Sequence, residues 1–118
     1  MTKSSKKAVD IEFLKSITGD DVAFEKELFI LFLDSSKSNI LKMEKALADS
    51  DNNGWYMASH ALKGASASIG AFDLSKVLEY AQTHPKDDDK DKVRVLTDIK
   101  KELTRVELFI NEEFLKNF

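Results

Sequence analysis

Leu96-Thr-Asp-Ile99-Lys-Lys-Glu-Leu103-Thr-Arg-Val106-Glu-Leu-Phe-Ile110 spaces its five numbered apolar residues alternately three and four positions apart. That spacing puts all five on one face of an α-helix and predicts the seam of a helix in a bundle. Just before it, His84-Pro85 and the charged run from Lys86 to Lys92 predict a loop, with acids suited to a helix N-terminus. Further back, Leu74, Val77, Leu78 and Ala81 share one face of a helix expected from about Phe72 to Thr83.

A third helix is expected from about Asn52 to Ile69, between the turn Asp51-Asn-Asn-Gly54 and Gly70. Upstream, Asp20 or Asp21 can cap a long helix reaching about Asp49. Its middle, Leu28-Phe-Ile-Leu-Phe-Leu33, would read as a buried strand in isolation, but length and flanking helix formers favour a helix. Ser35-Ser-Lys-Ser38 could mark a kink or a break there. Phe13, Leu14 and Ile17 give a short leading helix from Asp10, stopped by Gly19. Residues 1–8 read as a flexible, solvated leader and 9–118 as one domain. The expected fold is therefore all-α: an antiparallel four-helix bundle with a short additional N-terminal helix.

Composition agrees. Four glycines and one proline are too few for a strand-rich fold, which needs a turn every 8 to 12 residues. A chain of 118 residues should bury roughly two-thirds of its unfolded surface, so it can stand without disulfide or metal. The absence of cysteine excludes disulfides and thiolate metal sites, and suits a reducing cytoplasm. A net charge of −3 gives no field to attract a nucleic-acid backbone. The polar N-terminus leads into no apolar stretch, and no run is long enough for a membrane span.

In the third helix, Trp55, Ala58, Leu62, Ala65 and Ile69 form the apolar stripe, and His60 falls about 180° from its centre. Tyr56, Lys63, Gly64, Ala67 and Ala71 accompany it on the outer face by the same angle. Gly64 costs about 1 kcal/mol against alanine in a helix interior, and it stands one turn beyond His60. Either close helix packing or an approaching molecule must account for it. Imidazole is substantially neutral at pH 7 and keeps a nucleophilic nitrogen. Beside a lysine it suits phosphoryl chemistry, because a charge-assisted contact of about 1.5–3 kcal/mol offsets the transferred negative charge.

The run Ser59-His-Ala-Leu-Lys-Gly-Ala-Ser-Ala-Ser-Ile-Gly-Ala71 resembles the signature of histidine-containing phosphotransfer (HPt) domains: His-x-Leu-Lys-Gly, small residues, then Gly-Ala. The resemblance extends over roughly residues 9–118. It implies a carrier in a multistep two-component phosphorelay, with His60 taking a phosphoryl group on Nε2 from a receiver-domain aspartate and passing it to another receiver. By the same resemblance, Lys63 neutralises phosphate charge, Gly64 clears the receiver's approach, and Gln82 fixes the imidazole tautomer through its other nitrogen. Tyr56, Ala67 and Ala71 would take part in docking, and Ile11 and Phe13 would help form the patch, although core packing explains those two apolar residues equally well. The implied partners are receiver domains of response regulators and a hybrid sensor histidine kinase. Any Mg2+ would be held by the receiver, and the chain itself is expected to bind no cofactor and to be a cytoplasmic monomer.

Other chemistries are poorly served. No phosphate-binding glycine loop is present, so a kinase reading fails. Asp49-Ser-Asp-Asn-Asn-Gly54 matches the first half of a calcium loop, but position 12 would be His60, a poor ligand for a hard cation. A capping turn is the simpler expectation. Two histidines without thiols make no transition-metal site, and Ser66 and Ser68 lack a nucleophile's context. A phosphohistidine phosphatase would need a second catalytic group. The alternative from another class is a helical interaction module that uses the same face without being phosphorylated.

Overall fold

The computed structural model describes residues 7–113 and contains five helices, with no strand among them. They are α1 (Ile11–Thr18), α2 (Val22–Ala48), α3 (Asn52–Ser68), α4 (Phe72–Thr83) and α5 (Asp89–Glu113). None is long and apolar enough to cross a membrane.

The first three helices each start on a capping aspartate. Asp10 Oδ1 accepts from the Phe13 N–H at 3.0 Å, Asp21 Oδ1 from Phe24 at 3.1 Å and Asp51 Oδ1 from Gly54 at 2.9 Å. Each carboxylate satisfies one donor that the first helical turn leaves unpaired. The segment from Asp49 to Gly54 is thus a capping turn feeding α3. Of the two candidate caps for α2, Asp21 does the work, while Asp20 takes the left-handed conformation (φ 68°) directly after Gly19 (φ 64°).

α2 is one unbroken helix of 27 residues. Its serines do not break it, because Ser36 Oγ donates back to Leu33 O at 2.8 Å and Asn39 Nδ2 to Ser35 O at 2.9 Å. These bonds stay within the helix's own turns. α5 begins earlier than the charged run implied: its first residue is Asp89, and Asp88 Oδ1 caps the Asp91 N–H at 2.9 Å. Lys92, expected in a loop, is buried there, with Nζ donating to Asn52 Oδ1 at 2.9 Å and lying 5.2 Å from the Trp55 ring centroid. A cation is tolerated at such depth because it has both an acceptor and a π-face.

α3 packs against α2 and α4, α4 against α5, and α1 against α2. The core runs through Leu14, Phe29, Met43, Trp55, Leu62, Leu74 and Leu78, and takes in all five residues of the α5 seam. Trp55 donates its indole N–H to Ala81 O at 3.0 Å, tying α3 to the last turn of α4. Most of the expected leader lies outside the described residues, as do 114–118 of the expected domain. Ala8, at the leader's end, is buried, so the packed chain starts before residue 9.

Gly70 is fixed by geometry. Its φ is +83°, a Cβ there would meet Asp10 O at 2.9 Å, and its carbonyl accepts from Asp10 N–H at 2.9 Å. The start of α1 is thereby held against the corner between α3 and α4.

Candidate functional site

The inward residues of α3 are Trp55, Ala58, Ser59, Leu62 and Ser66. The two serines spend their hydroxyls on the helix itself, Ser59 Oγ donating to Trp55 O at 2.7 Å and Ser66 Oγ to Leu62 O at 2.8 Å. Small side chains satisfied in this way let the neighbouring helices come close. Ser75 Oγ, on α4, donates to Lys63 O at 3.4 Å and adds a second tie. The outer face of α3 therefore rests on a rigid base.

His60 stands exposed on that face. Its ring stacks on Tyr56, one turn earlier, with centroids 5.9 Å apart and planes 9° apart. Among the described residues neither imidazole nitrogen has a hydrogen-bond partner, and His60 lies outside the four main surface depressions. Both nitrogens are available to an incoming group.

Gly64 bears on the packing account of a mid-helix glycine. A Cβ built there meets nothing within 4 Å. Close helix packing does not require this glycine, because the space above it opens outward on the side of His60. Lys63, half-buried along its stem, makes no ion pair among the described residues, so its ammonium is free to meet an anion. Gln82 is half-buried at the rim of α4, and its Oε1 is buried without a hydrogen-bond partner. It makes no hydrogen bond to His60, although an unpaired buried acceptor is costly enough to favour one.

The remaining expected docking residues divide. Tyr56 is exposed beside His60, and Ala67 is half-buried on the same helix. Ala71 is not on the outer face: it is fully buried. The helical angle cannot be extrapolated to it, because α3 ends at Ser68 and the Ala71 N–H turns back to Ser66 O at 2.9 Å. Ile11 is half-buried against the core, and Phe13 packs edge-on to Phe72 with centroids 5.0 Å apart. Both sit near the Gly70 corner, beyond the end of α3 at Ser68, which itself lies about 12 Å along the helix from His60 at 1.5 Å per residue.

Nearer the histidine, a groove of about 430 Å³ runs between α2 and α3, lined among others by Lys42, Met57 and Ala61. Met57 is 60% exposed, and Lys42 has no partner among the described residues. Phe24 and Leu31, both exposed, fall on the same stripe of α2 as Lys42 at about 100° per residue. Sequence reasoning missed this flank. The angular count applied to α3 would have found Met57 and Ala61, but pairing them with Lys42 needs the packing of the two helices.

The second histidine is differently placed. His84 ends α4, stacked on Tyr80 at 3.9 Å, with Nδ1 2.8 Å from Tyr80 O. A helix C-terminus repels added negative charge, so His84 is a poor acceptor for a phosphoryl group. No group of three or more His, Asp or Glu residues among those described is placed to hold a metal ion.

A sequence model of the Hpt domain family matches residues 27–108, which is just over two-thirds of the chain and includes all of α3. No curated protein and no solved structure matches the chain significantly.

Proposed function

The chain belongs to the Hpt domain family, whose members carry phosphoryl groups in phosphorelays, and on that premise we propose that His60 is the residue phosphorylated. The observation that carries this reading is the open space over Gly64 beside an exposed imidazole. In the proposed step, the Nε2 lone pair of neutral His60 attacks the phosphorus of an aspartyl phosphate on a receiver domain. The P–O bond to the aspartate breaks, the carboxylate leaves with the electron pair, and a P–N bond forms. The ring proton stays on Nδ1, and the family pattern assigns its acceptor to Gln82 Oε1, an atom that is buried and unpaired. Lys63 offsets the charge that arrives on the ring. Transfer onward to a second receiver is the reverse step on another aspartate.

Most of the transition-state machinery, including Mg2+, belongs to the receiver in this scheme. The chain acts as a carrier without its own kinase or nucleotide site, serving receivers of response regulators and a hybrid sensor kinase in the cytoplasm. The short connections between α2, α3, α4 and α5 support an antiparallel four-helix bundle with α1 added. Docking is read on Tyr56 and Ala67, extended by Lys42, Met57 and Ala61, with Ile11 and Phe13 at its far edge.

The test is incubation with a phosphorylated receiver, following label on the wild type and on His60→Gln. Acid-labile, base-stable label on the wild type alone is the expected result. Unlabelled wild type, or equal label on the variant, overturns the assignment.

A further inference from the structure

On α2, turned away from the core, Ile30, Asp34, Lys37 and Leu41 form a crest at alternating four-, three- and four-residue spacing. Ile30 is 44% and Leu41 66% exposed. Neither Asp34 nor Lys37 has a partner among the described residues. The order apolar, acid, base, apolar is matched to itself: laid antiparallel on a second copy, Asp34 meets the other copy's Lys37, and Ile30 meets the other copy's Leu41. Each contact then occurs twice about a two-fold axis, as an isologous interface requires. We infer that the α2 crest is a homodimer interface.

The relief on either side of Lys37 fits the same register. A depression of about 290 Å³ flanks Ile30, floored by Leu33 and bounded by Asn111 of α5. A second, of about 480 Å³, flanks Leu41 and includes Ile40 and Leu103. In the antiparallel pairing, Leu41 of one copy enters the first depression while Ile30 enters the second. One step further out, Glu27 would approach the other copy's Glu44. Lys100 already holds Glu44 in an ion pair at 2.5 Å, and helices that cross diverge toward their ends.

A second copy fits better than the receiver. The crest lies about 100° around α2 from Lys42, which borders the groove beside His60, so a partner seated on it does not reach the imidazole. An unrelated partner would also need no self-matched order of charges. In the dimer both His60 faces stay free. A crest of this width falls at or below the small end of specific interfaces, which begin near about 1,200 Å², so micromolar association is expected. The proposal departs from the monomer expected from sequence.

Sedimentation equilibrium over a wide range of concentration tests it. The wild type should shift from 13.3 kDa toward twice that mass. Asp34→Lys sets like charges opposite each other at both ends of the pair and should weaken association at least about tenfold. Combining it with Lys37→Asp exchanges the two charges and should restore association, which a merely misfolded variant would not do. Leu41→Asp should leave a monomer with unchanged helix content. A wild type that is monomeric throughout overturns the inference, leaving the crest to a different partner or to the chain's own terminal residues. So does a dimer indifferent to Asp34→Lys. Because the readout is mass, failure here leaves phosphorylation of His60 untouched.

Discussion

The ring of Tyr56 lies parallel to that of His60, one helical turn away, with 5.9 Å between centroids. Stacked rings of this kind contribute about 0.5–1.5 kcal/mol, enough to hold the imidazole mostly in one orientation on an otherwise open surface. Tyr56→Ala should therefore slow phosphoryl transfer about two- to tenfold without unfolding the chain, while Tyr56→Phe, which keeps the stack, should transfer at nearly the wild-type rate. Rapid-quench transfer kinetics with a fixed receiver will read the difference.

Position 64 separates stability from access. Gly64→Ala fits the open space and should raise stability by about 1 kcal/mol through helix propensity. Gly64→Gln should fold as well but slow transfer about tenfold or more, since displacing reacting groups by about 1 Å is costly. Urea denaturation beside transfer kinetics gives both readings. A Gly64→Gln chain that folds and transfers normally would show that the glycine does not serve access.

Gly70 is the opposite case. Gly70→Ala places a Cβ 2.9 Å from Asp10 O in a backbone with φ +83°. The left-handed conformation alone costs about 1–2 kcal/mol, and the clash adds to it. The melting temperature should fall, and amides at the start of α1 should exchange faster than those of α3.

Glu25 is fully buried and is held by Lys15 Nζ at 3.2 Å and Thr18 Oγ1 at 2.8 Å. The hydrogen bond to Glu25, ahead of all other influences, raises the Lys15 pKa above its ordinary 10.5. A raised lysine pKa stabilises the folded chain below the unfolded value, and that contribution is lost as pH rises through the folded one. The wild type should exceed Lys15→Met in stability at pH 7 to 9, with the gap closing above about pH 10.5. Paired urea titrations at the two pH values check this. A gap that widens with alkali would contradict the ion pair.

What could be read from sequence was what repeats locally. The spacing from Leu96 to Ile110 and the angle between His60 and the Trp55 stripe are properties of a single helix, and the structure keeps both. Three other features depend on how separate segments meet. Lys15 and Glu25 pair across the break between α1 and α2, so neither helix alone signals a buried carboxylate. Lys92 looked solvated within a run of charges, and only the approach of α5 to Asn52 and Trp55 buries it. Ala71 failed because a helical angle was carried past the end of the helix. Gly64 was conspicuous in the sequence, but only the coordinates show that no neighbouring helix requires it.

The openness that lets a partner reach His60 also sets a clock. The imidazole is exposed, and no described side chain hydrogen-bonds it, so water reaches it as readily as a protein does. A phosphoryl group placed there would have little shelter from hydrolysis. Its lifetime would be governed by the intrinsic lability of the P–N bond, and the signal would persist only as long as receivers arrive faster than that bond decays.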